Sequence, residues 1–123
     1  MSKQSKLTIL VNMDENHIPE EITWESIEND KTSEKTAKAA MLMFWDKAEQ
    51  NTLSLDLWTK EMSIEEMSKF FFQTYMTMAD TFEKATSEDQ MALAMRDFGE
   101  FFGEKLGVIP PTGKFKDNGE GQD

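Results

Sequence analysis

Three consecutive phenylalanines, Phe70, Phe71 and Phe72, stand inside a strongly helical pattern. At about 100° per residue they span roughly 200° of helix surface. A helix packed on one side needs an apolar stripe little more than half that wide. One packing partner does not cover such a helix. A second is required, supplied elsewhere in the chain or by another protein.

The helix that carries the run has clear ends. Ser63-Ile64-Glu65-Glu66 is a capping box: the Ser63 hydroxyl accepts from an early helical N–H and Glu66 reaches back. The helix is expected over about 63–85. A second, over about 87–106, opens with Ser87-Glu88-Asp89-Gln90 or with Thr86 as its cap. It stops where Gly107 can adopt a left-handed conformation and Pro110-Pro111 forbid continuation.

Upstream, the apolar residues alternate. Leu7, Ile9, Val11 and Met13 share one face at period two, and Asp14 to Pro19 breaks the run with turn residues. Ile22-Thr23-Trp24-Glu25 alternates again. Residues 28–36 are charged and polar and read as a loop. Ala37 to Asp46 fits either a strand or a helix. Its neighbour Thr52–Thr59 alternates with Leu53, Leu55 and Leu57 on one face, so both are assigned as strands joined by a short polar link. The expected strands are about 7–13, 21–26, 37–46 and 52–59. Strands followed by helices predict an α+β domain over 1–109, a four-stranded antiparallel sheet of two hairpins with two helices on one face. The segment 110–123 is too polar to offset its ordering entropy and is expected to be a disordered tail.

The chain offers little chemistry. It has no Cys, and therefore no thiol nucleophile or thiolate metal site. His17 is the single histidine, and with Asp14 and Glu15 it makes a solvated turn rather than a metal site. No nucleophile elbow and no glycine-rich phosphate loop is present. The expectation is a protein that is not an enzyme, with no catalytic residue, metal or cofactor. A formal net charge of −11, with Arg96 the single arginine, argues against nucleic acid as a partner. No apolar signal core and no stretch of about 18 apolar residues is found, so neither membrane insertion nor export is expected. The expected location is the cytoplasm.

The first helix divides by angle. Ile64, Met67, Phe71, Tyr75, Met78, Phe82 and Ala85 form one stripe, read as the core face. Phe70 lies on one flank, and Phe72, Met76 and Ala79 on the other. In the second helix the corresponding stripe is Met91, Met95, Phe98, Phe102 and Leu106, with Phe101 off it. Gly99 and Gly103 weaken that helix by about 1 kcal/mol each, which implies close approach of a neighbour. Trp58 falls opposite the leucine face of its strand. The partner-binding candidates are therefore Trp58, Phe70, Phe72, Met76 and Phe101. They either fill a wide internal interface or form a groove or homodimer seam. Burial of Phe70 and Phe72 against a partner contributes about 2–3 kcal/mol each. A pocket for a small ligand and a chaperone-like surface for exported components are the alternatives.

Several segments together carry a family resemblance. They are Asp56-Leu57-Trp58-Thr59-Lys60-Glu61-Met62, Phe71-Phe72-Gln73-Thr74 and Thr77-Met78-Ala79-Asp80-Thr81-Phe82-Glu83-Lys84-Ala85-Thr86, with Met95-Arg96-Asp97-Phe98 and Glu104-Lys105-Leu106-Gly107. Over about Leu7 to Gly107 the chain resembles the gliding motility protein GldC family. The resemblance implies a small cytoplasmic accessory protein of gliding bacteria of the Bacteroidetes group, with protein partners in the gliding machinery. It implies no catalytic residue or cofactor.

Overall fold

A computed structural model describes residues 3–115. The chain forms two compact units, Met1–Met62 and Ser63–Asp123.

The first unit is all β. Strands β1 (Lys6–Met13), β2 (Pro19–Glu28) and β3 (Lys31–Ala37) form one antiparallel sheet in that order. Strands β4 (Ala39–Trp45) and β5 (Thr52–Trp58) form a second, two-stranded sheet. The period-two reading of β1 holds at its centre, where half-buried Ile9 and Val11 lie opposite Trp24 and Ile22, while Leu7 and Met13 are exposed and the register shifts between Asn12 and Met13. Ile22 lies between Val11 and Ala37 in the register and is fully buried. At the β1–β2 turn the Asp14 carboxylate accepts from the N–H groups of Asn16 and Ile18 and pairs with Lys60 at 2.6 Å. The Lys60 ammonium, followed by the Ile18 N–H, holds this carboxyl below its ordinary range. His17 occupies this turn at φ 64°.

The expected single four-stranded sheet is corrected to five strands in two sheets. The difference is β3, whose Lys-Thr-Ser-Glu-Lys-Thr-Ala sequence read as loop. Its ladder to β2 runs from Glu28 opposite Lys31 to Ile22 opposite Ala37. Backbone pairing needs no apolar side chain, and lysines suit a strand at the edge of a sheet. Asn29 and Asp30 make the turn with φ of 50° and 65°. Two left-handed residues in a two-residue turn are the mark of a type I′ hairpin.

Lys38 alone separates β3 from β4, so one extended stretch of chain serves two ladders. Thr59 holds the break. Its N–H and its hydroxyl both donate to the Lys38 carbonyl, at 2.8 and 3.1 Å, and the residue is buried.

The second unit is a helical hairpin, α1 (Ile64–Thr86) and α2 (Asp89–Lys105). The capping box of α1 is formed as expected: the Glu66 N–H donates to Ser63 Oγ at 3.0 Å, and the Ser63 N–H to Glu66 Oε1 at 3.1 Å. The start of α2 differs from expectation. Ser87 is not an N-cap but closes α1 in a left-handed conformation, its N–H donating to the Glu83 carbonyl. Glu88 precedes α2 without a side-chain cap. A two-residue connection leaves no serine for both tasks. At the far end Gly107 takes φ 74°. The Val108 N–H returns to Gly103 O and that of Gly107 to Glu104 O, the paired bonds of a Schellman closure.

Among the described residues no helix is long and apolar enough to cross a membrane. Residues 110–115, placed in the expected tail, run back along α2. Thr112 donates to Glu104, and Lys114 bridges Asp97 and Glu100. The remainder of that tail, 116–123, lies outside the described residues.

Candidate interaction surface on the helical hairpin

Small residues decide how α1 and α2 meet. Ala79, Ala92, Gly99 and Gly103 are buried in the hairpin. A methyl group at Gly99 would stand 2.8 Å from Met76 Sδ, and one at Gly103 would stand 2.7 Å from Phe72 Cδ1. The close approach expected at these glycines is thus made within the hairpin, by Phe72 and Met76. On the connecting-turn side, Arg96 donates to Asp80 at 2.8 Å and to Glu83 at 2.7 Å. The guanidinium holds the Glu83 carboxyl below the usual glutamate range.

That seam uses only one part of the apolar arc of α1. Of the stripes read as core, Met67, Tyr75, Met95 and Phe102 are half-buried, with Tyr75 packed against α2, but the remaining members are open. Ile64 is 87% exposed, Met78 46%, Met91 60% and Phe98 48%. The physical reason is competition between two registers. Phe72-Met76-Ala79-Glu83 is as regular a helical stripe as Phe71-Tyr75-Met78-Phe82. Only the first lets the backbones close on the glycines.

On the open side the rings form a connected cluster. Tyr75 meets Phe98 and Phe102 edge-on at 5.3 and 5.2 Å, and Phe71 stacks on Phe102 at 6.5 Å. Phe98 continues to Phe101 at 6.0 Å, and Phe101 to Phe115 at 5.6 Å. Helical spacing adds Met67, Met78 and Phe82 from α1, and Met91 and Met95 from α2. None of these side chains carries a charge. Beside the cluster, a groove of about 650 Å³ runs along α1 past Phe70, Thr74, Met78 and Phe82 to Met95. The Thr74 hydroxyl donates to the Phe70 carbonyl at 2.7 Å, so it is spent on the helix itself.

The candidates named from sequence separate accordingly. Phe72 and Met76 are half-buried in the seam. Phe70 is half-buried beside Phe71 at the groove. Phe101 is partly open, with Phe115 and the Lys105 ammonium against its ring. Trp58, 54% exposed, belongs to the β unit, where it pairs with Ala39. The exposed residues missed were Phe71, Met78 and Phe98, read as core, whereas Tyr75 is half-buried against α2. The signal that finds them is the glycine pair, because it selects the opposite flank of α1 as the seam.

A family model described as gliding motility-associated protein GldC-like matches residues 19–108. No curated protein and no solved structure matches the chain. The matched span begins at the first residue of β2, takes in every later strand and both helices, and ends in the Schellman closure; the chain belongs to the GldC-like family of gliding motility-associated proteins.

Proposed function

We propose that this protein is a non-enzymatic, cytoplasmic accessory factor of the gliding machinery that works by binding other proteins through its open apolar surfaces. The observation that carries the reading is the uncharged ring-and-methionine face of the helical hairpin. Aromatic and methionine side chains are enriched, and charged ones depleted, at the centre of protein interfaces. The β4–β5 hairpin supports it with a second open apolar surface, where Trp45 and Trp58 are both more than half exposed. Crosslinking with mass spectrometry in a gliding cell tests the proposal. Components of the machinery should be captured by the wild-type chain and lost when both Phe98→Asp and Trp58→Asp are introduced. An unchanged set of captured proteins, with the fold intact by circular dichroism, sinks it.

The groove along α1 favours a second reading, binding of a small apolar ligand. Its test is a thermal shift with apolar compounds, expected for the wild-type chain and lost in Met78→Asp.

A further inference from the structure

We infer that the ring-and-methionine face of α1 and α2 is covered by the same face of a second copy of this chain, closing two helical hairpins into a four-helix bundle. The inference rests on the reading of that face as a protein-binding surface and names its occupant.

The first ground is the unfinished packing of α1. Its apolar side chains run from Phe70 through Phe71 and Tyr75 to Phe72 and Met76, roughly 240° of the helix. The seam with α2 takes up the Phe72–Met76 end, where Gly99 and Gly103 admit the ring and the thioether. The Phe71–Met78–Phe82 side stays partly open although Phe71 stacks on Phe102, and so does the Met91–Phe98 side of α2. Two antiparallel helices joined by two residues are half of an up-and-down bundle. A copy of the same hairpin supplies the missing half with the same residues, as a two-fold interface requires.

The second ground is area. Phe71, Met78, Phe82, Met91, Phe98 and Phe101 are 36–60% exposed. Taking about 200 Å² for each whole side chain, they leave roughly 500 Å² of apolar surface open. A standard interface takes about 800 Å² from each partner, of which a little over half is apolar. These six side chains therefore provide the apolar share of a stable dimer.

The third ground is charge. The chain carries −11, yet none of the face residues contributes to it. Charges at its border are paired with one another, Arg96 with Asp80 and Glu83 and Lys114 with Asp97 and Glu100, and Lys105 lies over the Phe101 ring. An uncharged face on an acidic chain offers nothing to recruit a basic partner. It suits the permanent apolar contact typical of homodimers. The β4–β5 surface then remains for a different protein.

Light-scattering mass on the full chain at micromolar concentration is the first measurement. Twice the 14.2 kDa chain mass is expected for wild type, falling to the single mass in Phe98→Asp with helical circular dichroism retained. A wild-type monomer overturns the inference, and so does a Phe98→Asp chain that folds and stays dimeric. A photo-crosslinking residue at position 98 serves if Phe98→Asp does not fold. In a mixture of isotopically light and heavy chains, links to α1 or α2 of the other copy are expected. Links only within one chain, or only to a different protein, overturn the inference; the latter leaves the proposed function standing. A dimer that captures no gliding component supports the inference and counts against that function.

Discussion

Phe72 lies over Gly103 so closely that a methyl group there would meet its ring at 2.7 and 2.9 Å, with Ile109 at 3.2 Å on another side. The contact explains why α2 tolerates glycine at a position where alanine favours a helix by about 1 kcal/mol. A ring held in a seam has little room to give. Gly103→Ala should therefore destabilise the hairpin by about 1–3 kcal/mol despite its better helix propensity. Gly99→Ala should cost less, because the flexible Met76 thioether can swing away, leaving Tyr75 Cβ at 3.3 Å as the tighter limit. Urea unfolding of the two variants gives the order. A Gly103→Ala chain more stable than wild type would show that the seam is looser than described.

Arg96 links stability to pH. Its guanidinium keeps the Glu83 carboxyl below its usual value of 4.5, so the unfolded chain binds the proton first as pH falls. The stabilisation is complete above that usual value and is lost as pH drops through the lower folded value. Asp14, held down by Lys60, acts in the same direction from its usual value of 3.8. Thermal melting below pH 4.5 should fall with acid, and fall less steeply in Arg96→Ala, where the depression of Glu83 is removed. Equal slopes in the two proteins would detach the acid response from this pair.

Thr59 predicts a cost in the β unit. Thr59→Val keeps the shape and the N–H bond to the Lys38 carbonyl but removes the hydroxyl bond at 3.1 Å. One hydrogen bond of this kind is worth about 1 kcal/mol net. Urea unfolding should show that loss, and amide exchange should quicken at Thr59 while the β1–β2 ladder is unchanged. A variant of wild-type stability would mean that the N–H alone holds the break between β3 and β4.

Legibility in the sequence followed the range of the interaction. Ser63 and Glu66 read correctly because a capping box is settled by neighbours three residues apart. Gly107 read correctly because a left-handed residue followed by Pro110 ends a helix whatever surrounds it. The alternation of Leu7, Ile9 and Val11 marked β1 for the same local reason. Residues 31–37 escaped because their strand is defined by bonds to β2, and their side chains carry no burial signal. The I′ turn at Asn29-Asp30 was the available clue. Trp58, Phe70 and Phe101 were singled out individually, but the ring cluster to which Phe101 belongs was not visible as a unit.

By itself the sequence determined where the helices begin and end, which strands alternate, and that α1 has more apolar surface than one neighbour covers. Only the tertiary structure decided which part of that surface is the seam. Periodicity ranks the Phe71 and Phe72 stripes as equals, since both follow the helical repeat. Contact distance does not: Gly99 and Gly103 let the backbones close only where Phe72 and Met76 face them, and that choice leaves Phe71, Met78 and Phe98 open.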